Sequence, residues 1–209
     1  MIFIKEKESI NKVWRKALNE LYKTGFVPSD NRFARMESLA IEIEHPILEK
    51  KDSKFPIAQG DIDIINKFII SGESEELVCH EWTKLYYHRL FDEPNSQIEY
   101  IKNRIKKNRT GIATTWKKEE DQYGDIKPCM LSIIAMNQNE KLYFQLHARA
   151  CNVYDKLLMN IQEFVSLQKY LAEELDLKIG RFVFTIDFAQ IAVKDIKFVE
   201  EIINDKIKE

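Results

Sequence analysis

The residues able to do chemistry cluster between Lys127 and Asn160. Cys129 follows Pro128 at the end of a polar loop and stands at the mouth of a strand. Arg149 lies at the far end of an apolar hairpin, and Asn160 falls where the next helix begins. A cysteine is nucleophilic only as the thiolate, and nearby positive charge favours that form. Pairing of the two hairpin strands would bring Arg149 back beside Cys129 and supply the charge. The outline is that of a small-molecule site. Taken alone, a free cysteine is more commonly a packing residue than a nucleophile.

The elements that must position these groups follow from periodicity. Met130 to Met136 and Leu142 to Ala148 are two apolar runs joined by the turn residues NQNEK, which predicts a hairpin. Leu157, Ile161, Phe164, Val165, Leu171 and Leu175 mark a long helix, Gly180 opens a strand pair that runs to Val193, and a helix from Asp195 follows. Earlier, Ile10, Val13, Trp14, Ala17, Leu18 and Leu21 fall at helical spacing, with Ser9 as N-cap and Gly25 as stop. Leu39, Ile41 and Ile43 alternate with Ala40, Glu42 and Glu44 as in a strand, and Arg32 and Arg35 precede it; by themselves they read as solvated arginines. Asp61 to Ile70 and Ser96 to Lys107 read as short helices, and Arg109 to Trp116 as a strand entered by a turn at Gly111. Between them, Trp82, Tyr86, Tyr87, His88 and Arg89 read as packing residues with polar ends exposed. Interspersed strands and helices with an antiparallel hairpin give an α+β class, a central mixed sheet covered by helices in one domain, residues 1–209.

Composition removes several classes. A net charge of -2 argues against a chain built to coat nucleic acid. Three cysteines without CxxC or zinc spacing indicate neither a disulfide scaffold nor a structural metal, and no apolar run approaches the length of a membrane span. A soluble, cytoplasmic protein with reduced thiols is expected.

The spacing of the chemical residues resembles the thymidylate synthase family. Arg109, Trp116, Cys129, Arg149 and Asn160 are separated by 7, 13, 20 and 11 residues, in the order arginine, tryptophan, proline-preceded cysteine, arginine, asparagine. NRTGIATTW, RACNVYDKLLMNIQEF and GRFVFTIDFAQI are similar to that family's motifs, and the resemblance spans Arg32 to Val193. It implies a thymidylate synthase-like sheet fold and a transferase that places a one-carbon unit on C5 of a uracil nucleoside monophosphate, dUMP or UMP. Cys129 would add to C6, which makes C5 enolate-like. Arg149, with Arg32 or Arg35, would hold the phosphate, Asn160 would read the uracil edge, and 5,10-methylenetetrahydrofolate would be the donor. Arg109 would reach into a partner's pocket, which implies a homodimer, and Thr110 beside it is a further substrate-binding candidate. Aspartate at the Asn160 position accompanies cytosine substrates, so a dCMP or CMP hydroxymethylase is the less favoured reading. A nucleotide-binding module without turnover is a further alternative.

Several positions depart from the family pattern. Thr110 replaces the second arginine of a pair, Ala150 a serine, and Met130 a histidine. Gln190 and Ala192 stand where the family contacts the sugar. Asn152 replaces the pterin-binding aspartate, and Lys156 a glycine. The position of the acid–base glutamate is Ile65; Asp63 or Glu76 reaching the base would favour turnover, an apolar wall binding only.

Overall fold

The computed structural model describes residues 1–29, 31–92, 94–124 and 127–205. Its sheet has six strands in the order β1 (Ile2–Glu6), β2 (Phe33–Ile43), β6 (Lys178–Ala192), β5 (Lys141–Asn152), β4 (Met130–Gln138) and β3 (Gly111–Thr114). The pairs β1–β2 and β5–β6 are parallel and the others antiparallel, so the sheet is mixed, as the sequence leads one to expect.

The hairpin closes on Asn139 and Glu140, both at positive φ (54° and 58°), the conformation whose twist matches the flanking strands. Period two then puts Leu142, Phe144, Leu146 and Ala148 on the buried face and Tyr143, Gln145, His147 and Arg149 on the other.

Helices cover that buried face. Helix α1 (Ile10–Thr24) begins as expected at Ser9, whose side chain accepts from the Lys12 N–H at 3.2 Å. It ends at Gly25, which is extended rather than left-handed. Glycine suits the site because a Cβ there would stand 2.5 Å from the Leu21 carbonyl oxygen. Helices α2 (Gln59–Ser71), α3 (Glu81–Phe91) and α4 (Gln97–Ile105), with the short α5 (Lys118–Asp121), precede the hairpin, and α7 (Ile196–Asp205) follows β6.

Helix α6 (Leu157–Glu174) crosses from β5 to β6 through the middle of this layer. Of its 18 residues 13 are buried, including the polar Gln162, Glu163, Ser166 and Gln168. Gln168 Nε2 reaches the carbonyls of Leu142 (2.8 Å) and Gly180 (3.1 Å), which ties the helix to both strands it connects. Trp14 Nε1 donates to the Val153 carbonyl at 2.9 Å and fixes the turn into α6.

Two elements differ from expectation. Glu81–Phe91, read as isolated packing residues, is helix α3. Residues 180–193 are read as a strand pair, but 180–192 form part of the single 15-residue strand β6, which ends at Ala192. No turn interrupts Phe182, Phe184 and Ile186, which all face the core, and irregularities in β2 absorb the twist of so long a strand. No helix among the described residues is long and apolar enough to cross a membrane.

Candidate active site

A cavity of about 190 Å³ opens where the C-terminal end of β5, the start of α6 and helix α3 meet. It has room for a planar heterocycle. Cys129, Asn152, Asn160 and Gln190 all line it, so four of the predicted site residues converge.

Cys129 is held from two sides. The Arg149 N–H donates to the Cys129 carbonyl at 2.9 Å across the hairpin. On the other side the Tyr86 hydroxyl accepts from the N–H groups of Cys129 (3.2 Å) and Met130 (3.1 Å). Behind this point Thr115 donates its hydroxyl to the Met130 carbonyl, and Arg89 donates to the Thr115 carbonyl. Arg89 is buried and forms a fork with Asp121 at 2.6 and 2.8 Å, so the support is an ionic one. Burial pushes the Cys129 thiol above its ordinary value, and the opposing Arg149 charge only partly offsets this. The thiolate is therefore favoured as pH rises.

Asn160 donates to the Cys151 sulfur at 3.7 Å, a weak contact that leaves its carboxamide available. Asn152 is more firmly engaged: its Nδ2 donates to Asp195 Oδ2 at 3.0 Å and its Oδ1 accepts from the Tyr154 N–H at 3.1 Å. Lys156 Nζ lies 3.3 Å from His80 Nδ1. With Nδ1 accepting from the lysine, the proton of a neutral His80 is assigned to Nε2, which is buried and unpaired. Burial first, then the Lys156 charge, lowers the His80 pKa and keeps the ring neutral.

The arginines are placed otherwise within one chain. Arg149 turns its Nε to the Pro128 carbonyl (2.9 Å) and Nη2 to the Lys127 carbonyl (3.2 Å), because strand alternation sends it to the face opposite Ala148. Arg35 bonds the carbonyls of Tyr22 and Ala34 and lies over the Tyr22 ring. Arg32 is exposed and lies over the Phe33 ring. Arg109 and Thr110 are exposed outside the cavity, and the Thr110 carbonyl accepts from Arg104 Nε. Asp63 is exposed and accepts from Gln59, Glu76 is exposed, and Ile65 is fully buried. No carboxylate is among the described residues that line the cavity.

Trp82, Thr83, Tyr86, His80 and Lys156 also line the site, and sequence reasoning gave none of them a role there. A signal existed, since Trp82 and Tyr86 are four apart and Thr83 and Tyr86 three apart, which share a face once α3 is known to be a helix.

The thymidylate synthase family model matches residues 13–209. The chain belongs to the thymidylate synthase family. A putative thymidylate synthase of Methanocaldococcus jannaschii is 24% identical over 194 residues, covering 87% of this chain and 86% of that one. A thymidylate synthase of Buchnera aphidicola is 27% identical over 197 residues, covering 84% and 74%. The thermostable thymidylate synthase A of Bacillus subtilis superposes with a TM-score of 0.72 over 95% of this chain and 84% of its own, at 15% identity, and shares the fold. Members of the family bind a pyrimidine nucleotide, generally use methylenetetrahydrofolate and are usually dimeric.

Proposed function

We propose that this chain transfers a one-carbon unit to C5 of a uracil nucleoside monophosphate, with Cys129 as nucleophile. The observation that carries the reading is that Cys129 and Asn160, which belong to different elements, line one ring-sized cavity. A pyrimidine C5 attacks one-carbon electrophiles poorly. Addition of the Cys129 sulfur to C6 moves the ring electrons towards C5 and the C4 oxygen, and the later elimination restores the ring. The Asn160 carboxamide can donate to that oxygen and accept from the neighbouring ring N–H, a pattern that fits uracil better than cytosine.

Phosphate binding is assigned to arginines. Arg149 uses some of its five N–H donors on the cysteine loop and keeps the rest. Arg109 would come from a second copy, and Arg32 or Arg35 from the same chain. The sheet supports a homodimer: its helix-free face carries a row of Ile112, Ile134, Gln145 and Val183 across four paired strands. Ile112 is 49% exposed in the single chain.

Reduced folate fits beside Trp82, where the unpaired Nε2 of His80 offers a donor to an incoming heterocycle. Trp82, His80, Asn152 and Lys156 would hold it; when bound it supplies a carbon at the oxidation level of formaldehyde. Methylation and hydroxymethylation at C5 share this donor.

The test is release of tritium from 5-tritiated dUMP or UMP, with and without methylenetetrahydrofolate. The parent protein should release it and Cys129→Ser should not; release by the serine variant at the parent rate removes Cys129 from the mechanism. The raised thiol predicts that release accelerates as pH rises above neutrality. The second reading, recognition without turnover, is favoured by the absence of a carboxylate among the described lining residues, and saturable dUMP binding without any release would establish it.

A further inference from the structure

Addition of a thiolate to a pyrimidine leaves negative charge on the C4 oxygen, and a proton delivered there lowers the barrier. The described residues of the cavity walls offer no carboxyl group, yet one lies directly behind them. Glu163 is fully buried on α6, and among the described residues its carboxyl has no charged partner. It stands three residues after Asn160 and four after Met159, both of which line the cavity, so it occupies the same face of α6 one turn deeper. The polar side chain beside its carboxyl is that of Thr83, which also lines the cavity. The titratable neighbour from α3 is Tyr86, and among the described residues no charged side chain acts on Glu163.

We propose that Glu163 is the proton store of this pocket and that it communicates with a bound pyrimidine through the Thr83 hydroxyl. The assignment rests on the one-carbon transfer proposed above. As the Cys129 sulfur bonds to C6, the C5–C6 π pair moves through C4 onto its oxygen. That oxygen takes the hydroxyl proton of Thr83, and Thr83 takes the carboxyl proton of Glu163. The product is a neutral enol over a Glu163 carboxylate, and elimination of the sulfur returns the proton along the same route. Burial, which holds the Glu163 pKa up to about 8, keeps the acid loaded at neutral pH. Because Glu163 works through Thr83, it is a positioning residue for the proton.

The experiment follows tritium release from 5-tritiated dUMP between about pH 5 and 9, alongside dUMP affinity by calorimetry, in the full chain. Glu163→Gln keeps the shape and removes the acid. It should slow release about 100-fold at neutral pH with affinity unchanged within about twofold, and the levelling of the parent profile above about pH 8, where Glu163 loses its proton, should give way to a continued rise. Thr83→Val should give the same loss with the carboxyl intact, and Thr83→Ser should restore release; this pair decides the matter if Glu163→Gln does not fold. A Glu163→Gln or Thr83→Val protein with the parent rate and pH profile overturns the assignment while the transfer reading stands. Failure of the parent itself to release tritium overturns both.

Discussion

Two buried carboxyl groups lie within the support of one cavity and are treated in opposite ways. Asp121 is 1% exposed, accepts both forks of Arg89 and also accepts from the Lys117 N–H at 2.7 Å. Arg89 holds its carboxyl below the usual range. Glu163 is 0% exposed, has no charged partner among the described residues, and is pushed up to about 8 by burial. Burying an ionised carboxylate is costly unless it is paired, so the chain pairs one and leaves the other neutral. The contrast separates a group built into scaffolding, under the loop that bears Cys129, from a group kept reactive at some cost in stability.

The largest expected effect concerns pH. Glu163 has a higher pKa folded than unfolded, so its contribution is fully present below about pH 4.5 and is lost as pH rises towards 8, by up to about 5 kcal/mol. Asp121 has a lower pKa folded, so its contribution is present above its unfolded value and is lost as pH falls through the folded one. Urea melts across pH should show the decline between about pH 4.5 and 8 in the parent and not in Glu163→Gln, with the acid-side loss from Asp121 present in both; a decline surviving that change would break the contrast. Next in size, Arg89→Ala strands Asp121 and should cost about 3–5 kcal/mol in the same melts. Tyr86→Phe removes the acceptor of two amides and should cost about 1–3 kcal/mol, with tritium release slowed. The smallest shift is in specificity: Asn160→Asp should move preference from dUMP towards dCMP by roughly tenfold, about 1.4 kcal/mol, measured by calorimetry.

Much of this organisation was legible in the sequence. The hairpin, α1, α6 and the mixed sheet came from periodicity and turn residues, and the spacing of Cys129, Arg149 and Asn160 pointed to the family. Helix α3 was not legible, because EWTKLYYHRLF interleaves aromatic and charged residues without a clean apolar stripe; Tyr86 and Thr83 were lost with it. The direction of Arg149 depends on strand register, which residue spacing does not encode. Glu163 reads as an ordinary polar helix position until α6 is known to be buried nearly all round.

The sheet ends in strands of five residues at β1 and four at β3, and β1 carries Lys5, which is paired with Glu42 and Glu44. Short, charged borders give another chain few backbone partners, so templated growth of the sheet sideways is poorly supported. The homodimer proposed above would use instead the broad helix-free surface, and a two-fold contact there closes on itself rather than propagating into fibres.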